Sequence, residues 1–371
     1  MSSRRHSIAV IAGDGIGQEV VPAALQTLRL VAERHDFALD EREYDWGSDH
    51  YRAHGRMMPV DGIEQLARHD AIFFGAVGAP DIPDVETLWG LLIPMRREFD
   101  QYINLRPVRT LPGIPARVVG GDDIDLVIVR ENVEGEYSSV GGRLYPGTPY
   151  AAAVQEAFFS HRGVTRAAEY AATLAESRRR RVTSATKSNG IIHTMPFWDE
   201  VVAEVMQRHP DVTLEKVLID ALAAKLVLAP ASFDVIVASN LFGDILSDLA
   251  GALAGSIGVA PSANLNPERR HPSMFEPVHG SAPDIAGQGL ADPIGQLWAG
   301  AMMLEHLGEQ AAADEVVAAF EGCLRDGIAT PDIGGRPPRR SSRTRWRRGS
   351  GSWAERSPSL PTWPGRIFST E

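Results

Sequence analysis

The chain carries the stretch FDVIVASNLFGDILSDLAG at residues 233–251, an apolar run followed by a helix-like segment. The run Phe233–Ala238 is typical of a buried strand, and the spacing after it predicts a helix. In that helix Asp244 and Asp248 stand at positions i and i+4, so both carboxylates leave one face. Such a pair can hold a hard divalent cation, but an isolated acidic pair more often only complements the helix dipole.

Strand-like apolar runs alternate with helix-like segments along most of the chain. The alternation predicts an α/β fold with a largely parallel sheet covered by helices, and with sites at the carboxyl ends of strands. We expect strands at Ser7–Ala12, Ala71–Gly75, Leu126–Arg130, Val182–Thr186, Leu214–Ile219 and Phe233–Ser239. We expect helices at Glu19–Glu33, Leu88–Phe99, Val164–Ala175, Pro196–Gln207, around Asp244, and from near Pro293.

The composition is that of a globular protein with an acidic body. With 371 residues and 44% hydrophobic content, the chain can bury the core of two domains or of one large α/β unit. Residues 336–371 carry nine arginines and two glutamates, which leaves 28 basic and 46 acidic residues in the body. That body would repel nucleic acid and anionic membranes, so neither is expected as a partner.

The targeting features predict a cytoplasmic protein. Cys323 is the only cysteine, so no disulfide can form within the chain, as suits a reducing compartment. The apolar run Ile8–Ala12 is too short for a signal-peptide core, and Leu249–Ala260 is broken by glycine and serine. We therefore expect neither a leader nor a membrane span.

The segment GDGIG at residues 13–17 follows the first predicted strand, where a dinucleotide fingerprint would stand. The fingerprint G-x-G-x-x-G requires a glycine at position 18, where the chain has Gln18. A tight strand-to-helix turn that uses the conformational freedom of glycine is at least as good an interpretation.

Two segments offer charged groups for an anionic substrate. In PMRREFDQYINLRPVR, residues 94–109, Arg96 and Arg106 are candidates for an anion clamp, since arginine binds carboxylates through paired hydrogen bonds. Solvated arginines paired with nearby acids are the alternative. In RENVEGEY, residues 130–137, Arg130 and Tyr137 follow a predicted strand and suit substrate binding and proton donation. The alternative is that these residues are only solvated side chains at the end of a buried strand.

Lysine is scarce in this chain: Lys187, Lys216 and Lys225 stand against 34 arginines. A buried lysine can lose its proton and an arginine cannot, so Lys187, at the end of a predicted strand, is the candidate general base. The other two are expected in structural or surface roles. Residues 138–162, which are rich in glycine and proline turns, are expected to form an arm outside the core.

Asp220 ends another predicted strand and adds a third carboxylate to Asp244 and Asp248. Three carboxylates with water or a chelating substrate fit Mg²⁺ or Mn²⁺, and without a Cys or His cluster Zn²⁺ is disfavoured. Alone, Asp220 would more often be a helix N-cap. The loop EPVHGSAPDIAG, residues 276–287, can approach a pyrophosphate through its backbone, and its acid can accept from a ribose hydroxyl. A plain connecting loop is the alternative.

Six motifs in order, namely GDGIG, the two-arginine segment, RENVEGEY, TKSN (186–189), NLFGDILSDLAG and EPVHGSAPDIAG, closely resemble the isocitrate and isopropylmalate dehydrogenases, the β-decarboxylating dehydrogenases. The resemblance covers residues 7–335. YDWGSDHY (44–51), FFGAVGAPDIPD (73–84), TLWG (87–90) and RREFDQY (96–102) are most similar to the tartrate dehydrogenase/decarboxylase and D-malate dehydrogenase branch.

The resemblance implies a non-Rossmann, two-domain α/β/α fold and a homodimer with shared active sites. Residues 1–104 with 256–335 would form a large, cofactor-side domain, and residues 105–255 a small domain with the metal site and dimer interface. The family continues into a final helix, whereas residues 336–371 are rich in Arg, Ser, Pro and Gly. This aberrant tail is predicted to be disordered, and an out-of-frame coding sequence is the favoured explanation.

The resemblance also implies roles for individual residues. Lys187 from the partner would take the C2 hydroxyl proton, and Tyr137 would protonate the enolate after CO₂ leaves. Three arginines would bind substrate carboxylates: Arg96, Arg106 and Arg130. Three aspartates, one of them from the partner, would hold Mn²⁺ or Mg²⁺: Asp244, Asp248 and the partner's Asp220. Residues implied to bind NAD are Asn189, His279, Gly280, Ser281, Ala282, Asp284, which would select NAD over NADP, and Asp292, where many relatives have asparagine.

The expected reaction is an NAD- and metal-dependent oxidation of small (2R)-hydroxy diacids, D-malate to pyruvate and CO₂, or tartrate. A 3-isopropylmalate dehydrogenase is the alternative within the family. A non-catalytic nucleotide- or metal-binding protein, damaged at its C-terminus, is the alternative of another class.

Overall fold

The computed structural model describes residues 4–335, and the tail 336–371, with its predicted disorder, lies outside the described residues. Ten strands of the described range form one sheet in the order β2-β1-β3-β12-β11-β4-β5-β10-β8-β9, and β6 pairs with β7. The strands are β1 (Arg4–Gly13), β2 (Phe37–Glu43), β3 (Ala71–Ala76), β4 (Ile103–Arg109), β5 (Asp125–Glu131), β6 (Gly141–Leu144), β7 (Ala152–Gln155), β8 (Arg181–Thr186), β9 (Thr213–Leu218), β10 (Val235–Ala238), β11 (Pro261–Leu265) and β12 (Ser273–Pro277).

Helices cover both faces of this sheet. The helices are α1 (Gly17–Arg34), α2 (Ser48–His54), α3 (Gly62–Leu66), α4 (Asp84–Thr87), α5 (Ile93–Glu98), α6 (His161–Glu176), α7 (Thr194–Met206), α8 (Ile219–Leu228), α9 (Asn240–Leu253), α10 (Ile294–His306) and α11 (Gln310–Arg325). Among residues 4–335, none of them is both long and apolar enough to cross a membrane.

Side chains alternate between two cores because successive residues of a strand point to opposite faces of the sheet. Ile8, Val10 and Phe73 enter the larger core, to which α1, α6, α7, α10 and α11 contribute. Ile11 and Phe74 enter a smaller core on the other face, with side chains of α5. Burial on both faces explains why β3 and β10 read as continuous apolar runs.

The sheet is parallel towards both edges and antiparallel in its middle. Strands β2, β1, β3 and β12 run parallel, as do β5, β10, β8 and β9. Between these groups, β11 pairs antiparallel with both β12 and β4, and β4 pairs antiparallel with β5. The predicted α/β class with a largely parallel sheet is therefore confirmed.

The antiparallel middle holds a buried polar network centred on Asn264. Its Oδ1 accepts from Nδ2 of Asn104 and of Asn132, at 3.0 Å each, and its own Nδ2 donates to Oε1 of Glu276 at 2.7 Å. All four side chains are buried. Buried amides require partners, so this network fixes the pairing of β11 with β4 where no apolar pattern specifies it.

The strand pair β6–β7 projects from the rest of the structure, as predicted for an arm. Every residue of Gly141–Leu144 and Ala152–Gln155 is exposed, and a bridge between Gly135 and Phe158 closes the base of the hairpin. It nevertheless carries apolar side chains, which are 48–82% exposed: Val140, Leu144, Tyr145, Tyr150, Val154 and Phe158.

One helix is irregular, and one local prediction was wrong. The helix expected near Leu88–Phe99 is present, but its first part, Leu88–Leu92, is a π-helical turn that connects α4 with α5. Pro94 lacks the N–H that a regular helix needs there. Asp220 does not end a strand, since β9 stops at Leu218 and the helix formers that follow start α8 at once.

The predicted two-domain division stays a prediction. Its first boundary, at residue 104, falls inside β4, and one sheet runs through both predicted segments.

Replacing Asn264 with alanine is expected to lower the free energy of unfolding by roughly 2–4 kcal/mol, because the buried side chains of Asn104, Asn132 and Glu276 each lose a hydrogen bond. Urea denaturation at one fixed protein concentration measures this change. Gln26→Ala, on the exposed face of α1, is the control and should change stability by less than about 0.5 kcal/mol. Equal midpoints for the two variants would contradict the structural role of the network.

Candidate active site

Three buried arginines from three elements converge on one side of the sheet. Arg96 lies in the last turn of α5, Arg106 on β4 and Arg130 on β5. The three residues are 7%, 7% and 2% exposed, respectively. Antiparallel pairing sets Asn104 opposite Arg130, so Arg106, two residues beyond Asn104, lies on the same face as Arg130. Strand register thus places two of the guanidinium groups together.

The first turns of α9 supply the acidic partners of Arg106 and Arg130. Arg130 pairs through Nη1 with Oδ1 of Asp244, and Arg106 Nη1 lies 3.2 Å from the same oxygen and 3.1 Å from Oδ1 of Asp248. Both aspartates leave one face of the helix, as their spacing predicted. Oδ2 of Asp248 makes no hydrogen bond with any described residue, and the side chain is half exposed.

Uncharged side chains are further hydrogen-bond partners of Arg106 and Arg130. Oδ1 of Asn240 accepts from Nε and Nη2 of Arg130 at 3.0 and 2.7 Å, and the Ser247 hydroxyl accepts from Arg106 at 2.6 Å. Gly243 lets α9 approach, because a Cβ there would lie 2.6 Å from Cβ of Arg130. Sequence reasoning did not single out Asn240, Gly243 or Ser247 as site residues. Their proximity in the sequence to Asp244 was the available signal.

Tyr137 is held at three points. Its hydroxyl donates to Oδ2 of Asp244 at 2.9 Å, and the guanidinium carbon of Arg130 lies 5.6 Å from the ring centroid. Its carbonyl oxygen accepts from Nη2 of Arg97 at 2.7 Å, and Arg97 in turn stacks on the ring of Trp89. The phenol therefore points at the carboxylate between the arginines.

The charges of this cluster shift the pKa values of its acids. Burial alone would raise the pKa of Asp244, but the positive charges of Arg130 and Arg106 outweigh burial and lower it. Burial raises the pKa of Tyr137, and the neighbouring Asp244 carboxylate raises it further. Burial also raises the pKa of Asp248, although Arg106 opposes the rise. At neutral pH the phenol accordingly keeps its proton beside an ionised Asp244.

Arg96 pairs with a carboxylate from a different element. Its Nη2 donates to Oε1 of Glu276 at 3.1 Å, at the end of β12, and the same oxygen accepts from Asn264. Glu276 opens the loop that the sequence offered as a cofactor site, but its pairing with Arg96 was not foreseen. The site is thereby connected to the buried amide network of the sheet.

Lys187 and Asp220 form a second cluster at the end of β8. Nζ of Lys187 lies 2.8 Å from Oδ1 of Asp220, and this hydrogen bond is the main cause of the lowered pKa of Asp220. No hydrogen bond or ion pair among residues 4–335 connects this pair with Asp244 or Asp248, and that range holds no group of three His, Cys, Asp or Glu side chains able to bind a metal. One chain does not bring the three predicted ligands together.

The loop between β12 and α10 contains most of the residues implied in cofactor binding. Nδ1 of His279 faces the carbonyl oxygen of Gly280 at 2.9 Å, whereas its Nε2 is buried without a partner among the described residues. Burial lowers the pKa of His279, so its ring is neutral. Ser281 is buried, Ala282 has a φ of 39°, and Asp284 is exposed.

The remaining two residues of that set lie apart from it. Asn189 is exposed in the turn after β8. Asp292 is buried, and both of its oxygens are occupied: Oδ1 accepts from the Ile294 amide at 2.6 Å and Oδ2 from the Thr330 hydroxyl at 2.7 Å. Asp292 thus starts α10 and ties it to the segment around Thr330.

The cluster around the three arginines, with Tyr137, Asp244 and Asp248, has the chemistry to bind a small dianionic ligand. Three guanidinium groups offer paired donors for carboxylates, Tyr137 offers a proton, and Asp244 with Asp248 offers hard oxygen ligands. Such a set can orient a hydroxy diacid and stabilise negative charge that develops on its oxygens.

The chain is similar to known proteins over most of its length. The isocitrate/isopropylmalate dehydrogenase family matches residues 7–345. A probable tartrate dehydrogenase/decarboxylase of Agrobacterium vitis is 55% identical over 336 residues, which cover 90% of this chain and 94% of the relative. A decarboxylating D-malate dehydrogenase of Escherichia coli (strain K12) is 54% identical over 338 residues, which cover 88% and 94%.

The fold is also that of a solved relative. The crystal structure of isocitrate dehydrogenase from Methylococcus capsulatus superposes with a TM-score of 0.84 at 31% identity, and covers 95% of this chain and 100% of that chain. The resemblance inferred from the motifs, the fold class and the expectation of an enzyme are confirmed. The chain belongs to the isocitrate/isopropylmalate dehydrogenase family and is an enzyme of its decarboxylating dehydrogenase type.

Proposed function

We propose that the protein oxidises small (2R)-hydroxy diacids, D-malate and tartrates, with NAD and a divalent metal ion, and that β-decarboxylation follows where the product allows it. The observation that carries the proposal is the convergence of three buried arginines with Asp244 and Tyr137. The names of two relatives, a tartrate dehydrogenase/decarboxylase and a D-malate dehydrogenase, support the choice of substrates.

The arginines bind the two substrate carboxylates in this proposal. A guanidinium group and a carboxylate form two parallel charge-assisted hydrogen bonds, which fix orientation as well as charge. Arg106 and Arg130 share one face of the sheet, and Arg96 faces them from α5. Oriented binding raises the effective concentration of the reacting groups and thereby accelerates the reaction.

The donor set fits a magnesium or manganese ion. Asp244, Asp248 and Asp220 offer only carboxylate oxygens, the ligands that these hard cations prefer, and Oδ2 of Asp248 is open. When bound there, the ion would polarise the C2 carbonyl and stabilise negative charge on its oxygen. Because Asp220 lies in the other cluster, it would come from a second copy of the chain.

Lys187 and Tyr137 carry the proton transfers in this proposal. Lys187 would accept the proton of the C2 hydroxyl, and bound NAD would supply the hydride acceptor. Asp220, 2.8 Å from Nζ of Lys187, would keep the amine in place. After CO₂ leaves, Tyr137 gives its proton to the enolate carbon. The raised pKa of the phenol keeps that proton available at neutral pH.

The loop from His279 to Asp284 fits a dinucleotide. The buried Nε2 of His279 has no partner among residues 4–335, so it is free to meet a polar ligand atom. The exposed carboxylate of Asp284 can accept from a ribose 2′-hydroxyl and would repel a 2′-phosphate, which favours NAD over NADP. Both oxygens of Asp292 are bonded to protein groups, so its part in cofactor binding would be to fix the start of α10.

A homodimer with shared sites is part of the proposal. The exposed apolar hairpin β6–β7 suits a second copy, since a contiguous apolar surface marks an interface. Lys187 and Asp220 from that copy would complete each site. A cytoplasmic location fits a chain whose only cysteine, Cys323, is buried and reduced.

The purified protein should reduce NAD when D-malate or a tartrate is supplied with Mn²⁺, and excess chelator should abolish the signal because the carboxylate site would be empty. Absorbance at the NADH band measures the rate. Isopropylmalate, isocitrate and NADP serve as comparison substrates and cofactor. Faster turnover of isopropylmalate than of D-malate and tartrates would overturn the proposed substrate class.

Lys187→Ala should fold and dimerise but lose at least roughly a hundredfold in turnover, because the C2 hydroxyl has no other proton acceptor in the proposed site. Circular dichroism, sedimentation and steady-state rates measure these properties. Lys225→Ala is the matched control, since Lys225 only forms a surface pair with Glu215. A Lys187 variant with the turnover of the control would exclude the general-base role.

Two inactive variants should complement each other if the sites are shared. Lys187→Ala and Asp248→Asn each damage both sites of their own dimer, but a mixed dimer keeps one intact site. Random reassociation after mild denaturation should therefore restore about a quarter of wild-type activity. Rates of the mixture, compared with each variant treated alone, measure this recovery. No recovery in a mixture that forms mixed dimers would show that each chain uses its own Lys187.

A further inference from the structure

The Gly13–Gly17 turn contacts the loop that the proposed function assigns to the cofactor. The amide of Ile16 donates to the carbonyl oxygen of Ser281 at 2.9 Å. A Cβ at Gly15 would lie 2.0 Å from that same oxygen, so only glycine allows the approach. The turn that resembled a dinucleotide fingerprint is thus packed against a different loop of the protein.

Glu19, in the first turn of α1, binds the same loop further along. Its Oε1 accepts from the amide of Gly287 at 2.5 Å and its Oε2 from the amide of Gly289 at 2.9 Å. Within the loop, the amide of Ile285 also donates to the carbonyl oxygen of Ala282 at 3.1 Å. Apart from that bond, the two contacts of Glu19 are the only hydrogen bonds between segment 283–290 and the other described residues. One carboxylate therefore holds this segment against α1.

The chemistry of the contact favours a charged acceptor. Gly287 and Gly289 have φ values of 78° and 66°, and amides in such a turn point to one side and form a concave anion site. Glu19 fills that site from the positive end of α1, where the helix dipole favours a carboxylate. Hydrogen bonds to an ionised acceptor are about twice as strong as neutral ones.

We propose that Glu19 is a positioning residue that holds the Gly287–Gly289 turn, and through it His279 and Asp284, in the shape that binds the dinucleotide. The inference rests on the proposed cofactor role of the loop. Glu19 itself acts only through the two backbone amides. The turn between β1 and α1 thus supports cofactor binding indirectly, through its contacts with the loop.

A merely structural acid at a helix start would behave differently. Glu19→Asp keeps the charge that complements the helix dipole but shortens the reach to the loop by one methylene group. Glu19→Gln keeps the length but offers one carbonyl oxygen to two donors. If Glu19 only stabilises α1, the aspartate variant should match the wild type. If Glu19 tethers the Gly287–Gly289 turn through its two hydrogen bonds, that tether should be weakened in both variants.

The test combines hydrogen exchange with kinetics on the full-length protein. In both Glu19 variants we expect faster exchange of the amides in peptide 283–290 without cofactor, because their acceptors are lost or displaced. We expect the KM for NAD to rise about tenfold, with a much smaller change in kcat, because binding rather than chemistry is affected. Glu33→Gln is the control, since Glu33 is exposed on α1 and its carboxylate makes no hydrogen bond with the described residues.

The possible outcomes separate this inference from the proposed function. Unchanged exchange of peptide 283–290 in Glu19→Gln would overturn the tether, whatever the activity. Faster exchange with an unchanged KM and Kd for NAD would overturn the positioning role. If the wild type bound no NAD, the proposed cofactor would be wrong, and so would the positioning role. Hydrogen exchange would still test whether Glu19 tethers the Gly287–Gly289 turn. Should Glu19→Gln fail to fold, Glu19→Asp alone decides.

Discussion

The burial of three guanidinium groups in one place constrains the rest of the structure. A charge removed from water costs several kcal/mol unless a partner of opposite charge and further hydrogen bonds offset it. Glu276 offsets Arg96, and Asp244 offsets both Arg106 and Arg130. These partners belong to β12 and α9, so the strands and helices around the site must meet in one arrangement to satisfy the arginines.

The antiparallel middle of the sheet is what makes this arrangement possible. Between the two parallel groups of strands, β11 pairs antiparallel with β4, and β4 pairs antiparallel with β5. This pairing places Arg106 on the same face of the sheet as Arg130. The amide of Asn264 then connects this face to Glu276, and through it to Arg96. Fold and site are therefore fixed by the same buried polar contacts, which a purely apolar core would not specify.

The sequence predicted those parts of the fold in which local pattern and final environment agree. The strands β3 and β10 are apolar along their length, β5 has an apolar central run, and α9 has helical spacing, so all four were recognised. Strand β4 was read as an arginine-rich segment, and β11 and β12 were not identified. Their residues include Asn104, Ser262, Asn264 and Glu276, which are buried because they bind one another.

The candidate site was predictable only as far as residue type reveals chemistry. Arginine, the scarce Lys187 and spaced carboxylates suggested roles, but those assignments remain predictions. Asn240 and Glu19 were missed as contributors because their importance comes from what they contact 110 and 268 positions away. No local pattern encodes a partner so distant in the chain, since packing of α9 on β5 and of α1 on the loop decides it.

Asp244 has two demands on it under the proposed function, and its contacts show how they are reconciled. In the structure its carboxylate neutralises Arg130 and Arg106. A substrate carboxylate on those arginines would supply the same negative charge, and would free Asp244 to serve as a ligand for a divalent cation. Each binding event then lowers the cost of the other, which is reciprocal coupling between neighbouring sites. Under the proposed function, the acids of α9 would thus be counter-ions that the substrate displaces, and substrate and metal ion would assemble the site together.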